Sequence, residues 1–184
     1  MVTKDDAIDA VKTLLAHIGE DDTREGLIDT PDRVLRAWTE ITAGYHEDPA
    51  KILSRTFDVP CDEMIIVRGI TFYSTCEHHL LPFIGEASVA YIPTDRVVGL
   101  SKIPRLVECF AKRLQVQERL TQEIANAMME HLNPVGVGVV IKAKHLCMGC
   151  RGVKQPNAEM VTSATIGAFR YNTAVRAEFM ALVT

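Results

Sequence analysis

Two short stretches, far apart in the chain, carry residues that bind soft or borderline metal ions: Cys76-Glu77-His78-His79 and His145-Leu146-Cys147. Thiolate and imidazole are the ligands that zinc prefers. If Cys76, His79 and Cys147 hold one ion, the fold must bring both stretches to one place. Three protein ligands would leave the fourth position to water, with His78 and His145 as uncommitted imidazoles nearby, and that is the form of a hydrolytic site. The same residues permit a second arrangement. Cys147-Met148-Gly149-Cys150 is a Cys-x-x-Cys, and together with Cys76-x-x-His79 it would close a four-ligand, purely structural zinc site. Spacing alone leaves both open. Two observations favour the open site: a closed one gives His78 and His145 no role, and the segment between His79 and Cys147 is far longer than that of a zinc ribbon or finger.

Composition limits the rest. The chain has 184 residues, which suits one core with a helical extension, and its hydrophobic content of 47% excludes a disordered chain. A net charge of −4 argues against a general nucleic-acid binder, so an anionic ligand would need a local cluster of cations. Five cysteines, an odd number, beside histidines point to metal or thiol chemistry in a reducing compartment. Residues 1–6 have no apolar signal core, and no apolar run reaches the length of a membrane span. The expectation is a soluble, cytoplasmic protein that binds neither nucleic acid nor membrane.

Periodicity predicts an α+β fold. Ala7, Ile8, Val11, Leu14, Leu15 and Ile18 recur at helical spacing, with Thr3 as N-cap and Asp6 in the first turn. Thr30-Pro31 reads as N-cap and first helical residue of a second helix that Gly44 closes. Strand-like runs follow at Met64–Val67, Ile70–Ser74 and Phe83–Ile92, which puts Cys76 to His79 in a turn between strands. Two helices are predicted, from Ser101 to about Leu114 and from Val116 to Leu132. Val135–Ala143 and Val161–Phe169 read as strands, and Thr173–Leu182 as a terminal helix. Strands arriving in groups favour a largely antiparallel sheet. The expected division is a helical extension over 1–56 and the catalytic domain over 57–184.

Ser101-Lys102-Ile103-Pro104-Arg105 opens a helix with two cations on roughly one face, an arrangement suited to an anion. Exposed Lys and Arg are common, so alone the pair reads as solvated charge. Arg151 and Lys154 follow the Cys147 stretch closely enough to share a cleft with the metal. No glycine-rich phosphate loop is present, so side chains would have to grip a phosphate. Gln117-Glu118 starts the next helix. A carboxylate there could accept the paired N–H donors of guanine, although first-turn charge at a helix start is the simpler reading.

These residues together resemble the type I GTP cyclohydrolases. The resemblance rests on Cys76-Glu77-His78-His79, Gly99-Leu100-Ser101-Lys102-Ile103, Gln115-Val116-Gln117-Glu118-Arg119-Leu120-Thr121 and His145-x-Cys147-Met148-x-x-Arg151-Gly152. It extends to Arg24-Glu25-Gly26-Leu27, Thr30-Pro31-x-Arg33 and Thr162-Ser163-Ala164, and so covers nearly the whole chain in order. It implies a tunnelling fold, an antiparallel sheet with helices on one side, assembled as a toroidal homodecamer with sites shared between subunits. It implies conversion of GTP and water to 7,8-dihydroneopterin triphosphate and formate, the entry to folate and tetrahydropterin synthesis. It implies zinc on Cys76, His79 and Cys147 but not Cys150, guanine held by Gln117 and Glu118, and triphosphate held by Ser101, Lys102, Arg105 and Arg151. Zinc lowers the pKa of its bound water. That water would attack carbon 8 of the purine while His145 serves as acid/base and His78 assists later proton transfers.

Overall fold

The computed structural model describes residues 2–183. The chain divides into two compact units, Met1–Thr42 and Ala43–Thr184.

The first unit pairs α1 (Lys4–His17) with α2 (Thr30–Ile41). Thr3 and Asp6 form a reciprocal capping box at the start of α1: the Thr3 hydroxyl accepts from the Asp6 amide at 3.1 Å, and the Asp6 carboxylate accepts from the Thr3 amide at 2.7 Å. At α2, Asp29 rather than Thr30 takes the N-cap position, and no side chain caps it. Thr30 is already helical there. Lys4 Nζ meets the Asp32 carboxylate at 2.8 Å and ties the two helices together.

The second unit opens with a 3₁₀ turn, Ala43–His46, and the short α3 (Pro49–Leu53). β1 (Thr56–Phe57) pairs with β4 (Val97–Val98). The main sheet takes β2 (Ile65–Cys76) and β3 (Pro82–Ile92). α4 (Lys102–Ala111), β5 (Leu114–Gln115) and α5 (Gln117–Leu132) follow. Then come β6 (Gly136–His145), α6 (Leu146–Gly149), β7 (Met160–Gly167), α7 (Ala168–Tyr171) and α8 (Thr173–Val183). The five-stranded sheet has the order β5-β2-β3-β6-β7. Every pairing is antiparallel except that of β5 with β2.

The second helix ends at Ile41, and Gly44, expected to close it, lies in the 3₁₀ turn. Three of the stretches predicted in the second unit also differ from the expectation. The runs at Met64–Val67 and Ile70–Ser74 belong to one strand, interrupted by a bulge between Val67 and Ile70 where Gly69 takes φ 70°. The helix expected to reach Leu114 ends at Ala111, because Leu114 and Gln115 pair with Thr75 and Cys76. Phe169, expected on the last strand, sits on α7 after Gly167 turns the chain.

Alternation along the strands sorts the core. Val137, Val139, Ile141 and Ala143 of β6, with Val89 and Tyr91 of β3, face α4 and α5 and pack with Leu106, Phe110, Leu120, Ile124 and Met128. Ala90 and Val140 face the other way, onto Phe169, Phe179 and Val183. The two long helices thus lie on one face of the sheet, and α7 and α8 cover part of the other. Among the described residues no helix is long and apolar enough to cross a membrane.

Candidate metal centre and its surroundings

The antiparallel register explains how the two distant stretches meet. β2 ends at Cys76, β3 begins at Pro82, and β6 ends at His145 opposite Phe83. Since β3 lies between β2 and β6, the turn after Cys76 and the helix α6 after His145 leave the same end of the sheet. The Cys76 amide donates to Leu81 O and the Leu80 amide to Cys76 O, both at 2.8 Å, which closes the turn tightly. Leu80 adopts φ 56° there, a conformation uncommon for a non-glycine residue.

Cys76 Sγ, one ring nitrogen of His79 and Cys147 Sγ lie within 4.8 Å of one another. Cys76 Sγ is 4.0 Å from His79 Nδ1. Tetrahedral zinc bonds would set such atoms roughly 3.5–3.8 Å apart, so a slight contraction of the group admits the ion. Burial pushes the Cys147 thiol up from its ordinary pKa, and the neighbouring Cys76 adds to the shift. A metal bound there would reverse that cost for Cys147. Cys150 is exposed and stands outside this group. All five cysteines are free.

His145 is half-buried. Its ring stacks on Phe83, with centroids 4.6 Å apart and planes 4° from parallel. Its Nε2 lies 2.8 Å from Gln117 Oε1. Burial lowers its pKa below the ordinary imidazole value, and Glu118 partly opposes this. His145 also lines a cavity of ≈570 Å³ with Ile84, Lys144, Leu146, Gly149, Cys150 and Pro156. His78 is exposed, with Nε2 4.0 Å from the Glu77 carboxylate.

A hydrogen-bonded network not evident in the sequence braces the metal turn. Arg119 pairs with Glu77, donates to Leu114 O at 2.9 Å, and donates from Nε to Gln115 Oε1 at 3.0 Å. The buried Gln115 donates in turn to Phe110 O at 3.0 Å and to Glu123 at 2.8 Å. The Arg119 guanidinium holds the Glu77 carboxyl below the usual carboxylate range. The backbone helps, since the Glu77 amide donates to Gln115 O at 3.0 Å. Arg119 belongs to the Gln115–Thr121 motif, but nothing in one sequence pairs it with Glu77.

The remaining predicted residues divide into two places. Glu118 is exposed at the start of α5, whereas Gln117 is fully buried. Lys102 and Arg105 line a cavity of ≈760 Å³ with His46, Glu47, Asp48, Lys51, Ile52 and Glu108, and none of the three metal-ligand residues lines it. Ser101 is exposed at the N-cap position of α4 and makes no side-chain cap bond. Arg151 is exposed in the turn after α6.

The site is a candidate metal centre: a Cys–His–Cys group at the end of an antiparallel sheet, with the half-buried His145 two residues from one of its ligands. The profile of the GTP cyclohydrolase I family matches residues 7–184. A GTP cyclohydrolase 1 from Carboxydothermus hydrogenoformans is 55% identical over 184 residues, covering 100% of this chain and 96% of its own. Those of Janthinobacterium sp. (strain Marseille) and Campylobacter jejuni subsp. doylei are 53% and 54% identical over 174 and 176 residues; the alignments cover 93% and 95% of this chain, and 87% and 93% of theirs. The chain belongs to the GTP cyclohydrolase I family.

Proposed function

We propose that this protein is a zinc-dependent hydrolase that converts GTP and water to 7,8-dihydroneopterin triphosphate and formate. The observation that carries the reading is the convergence of Cys76, His79 and Cys147 without Cys150, with His145 two residues from Cys147. Three ligands fit an open site better than a structural one. When bound, zinc would supply Lewis-acid activation of water at neutral pH.

The chain's own residues supply the rest. Glu118 forms the guanine end of the site, where its exposed carboxylate accepts the paired N–H donors of the base. Water adds at carbon 8, and His145 gives a proton to the adjoining ring nitrogen. With its pKa lowered by burial, the neutral ring can also take a proton back. The opened ring is hydrolysed a second time, formate leaves, and the exposed His78 assists proton transfer during ribose rearrangement and ring closure. Ser101, Lys102, Arg105 and Arg151 take the triphosphate.

None of Cys76, His79 and Cys147 lines the Lys102–Arg105 cavity, which supports a site completed by an adjacent subunit, as in a homodecamer. All residues given roles lie within 57–184, the stretch we assign to the catalytic domain. Five free cysteines suit a reducing compartment such as the cytoplasm. The test is to incubate GTP with zinc-loaded protein and follow formate together with pterin fluorescence after oxidation. Release of both supports the reading, and intact GTP at long times overturns it.

A further inference from the structure

We propose that the Gln117 side chain does not touch the substrate. It is a positioning residue that fixes the orientation and tautomer of His145, so that Nδ1 is the nitrogen left to exchange protons. This rests on the reading of His145 as the acid/base.

The hydrogen-bond directions around Gln117 determine one another. The Thr121 hydroxyl donates to the backbone carbonyl of Gln117 at 2.6 Å. Its hydrogen is then spent, so across the 2.7 Å contact between Thr121 and Thr162 the Thr162 hydroxyl is the donor. Thr162 Oγ1 can therefore only accept from Gln117, whose amide nitrogen lies 3.1 Å away. The same nitrogen faces two more acceptors, Ile141 O at 3.1 Å and Met160 O at 3.0 Å. All three of its neighbours accept, so the amide cannot be flipped.

Gln117 Oε1 is thereby aimed at His145 Nε2, 2.8 Å away. A carbonyl oxygen only accepts, so Nε2 carries the hydrogen and Nδ1 is the free basic nitrogen. The parallel Phe83 ring at 4.6 Å restrains the imidazole plane. Gln117 is 0% exposed, and both ends of its amide are engaged. No edge of it remains for a purine, whereas its neighbour Glu118 is exposed.

The test uses zinc-loaded protein and Gln117→Met, which keeps length and loses the hydrogen bonds. The proposal expects kcat for formate release to fall on the order of 100-fold, the scale of one acid–base group, with KM for GTP within about twofold and zinc content unchanged. The double variant with His145→Ala should be no slower than His145→Ala alone, since residues acting as one unit are non-additive. A raised KM with intact kcat would make Gln117 a guanine reader and overturn the proposal. A double variant slowed by the full Gln117→Met factor would also overturn it. His145→Ala turning over at the parental rate would remove the acid/base reading itself, and the Gln117 role with it. Because Gln117→Met leaves buried carbonyls unpaired and can fail to fold, ring ¹⁵N shifts of histidine-labelled parent protein give an independent reading. Protonated-type Nε2 and unprotonated Nδ1 at neutral His145 are expected, and the opposite tautomer refutes the assignment.

Discussion

Gly85→Ala tests whether the close approach of β3 and β6 holds the site together. Gly85 lies opposite Ala143, two positions along β3 from the Phe83–His145 pair. A Cβ there would stand 2.1 Å from Lys142 O, 2.6 Å from Ala143 Cβ and 2.7 Å from Ala143 Cα. Non-bonded carbons settle about 3.5–4.0 Å apart, so the strands would have to part by on the order of 1 Å. Two of these atoms are backbone, and neither can swing aside as a side-chain end could. Overpacking costs about 1–3 kcal/mol, and the rigid ladder places this change at the upper end, about 3 kcal/mol. Gly69→Ala is the control. Gly69 has φ 70° with nothing within 4 Å of its would-be Cβ, so only the left-handed backbone penalty of about 1–2 kcal/mol applies. Equilibrium urea unfolding at fixed protein and zinc concentration would measure both. Gly85→Ala should be the more destabilised and should also lose zinc more readily to a chelator. If it costs no more than Gly69→Ala and keeps its zinc, the strand contact does not position the centre.

Further outcomes follow from the site. Cys150→Ala should retain zinc and formate release, whereas Cys76→Ala, His79→Ala or Cys147→Ala should lose both; metal analysis of the purified variants checks this. Lys102→Ala or Arg105→Ala should weaken GTP binding far more than guanosine binding in calorimetry, and equal losses would make these residues structural. The Thr3 hydrogen bonds hold the Asp6 carboxyl below its ordinary pKa. The stability this gives to the start of α1 is therefore present above the unfolded carboxylate value and is lost as pH falls through the depressed one. Amide exchange at the first turn should be slower in the parent than in Asp6→Ala at neutral pH, and the two should converge in acid.

The legible parts of this molecule were those governed by local chemistry. Thr3 and Asp6 announce a capping box because its partners are three residues apart. Strand-like runs announced β3 and β6, and ligand type put Cys76, His79 and Cys147 among the candidate ligands. What escaped depends on pairing across distance. One strand looked like two because the Gly69 bulge breaks the alternation. The Leu114–Gln115 strand is too short to carry a period and exists through its partners on β2. The Phe83 stack on His145 follows from register, and the brace from Arg119 to Glu77 follows from α5 packing beside the metal turn. Gln117 was expected at guanine through a resemblance, while its surroundings on β6 and β7 are visible only in the fold.

The central claim is that Cys76, His79 and Cys147 form an open metal centre. X-ray absorption at the zinc edge, on zinc-loaded protein without nucleotide, tests it most directly. The expected first shell is two sulfurs, one imidazole nitrogen and one oxygen from water, unchanged in Cys150→Ala. A shell with three sulfurs that drops to two in Cys150→Ala would mean a closed structural site, and the hydrolytic account would fail with it.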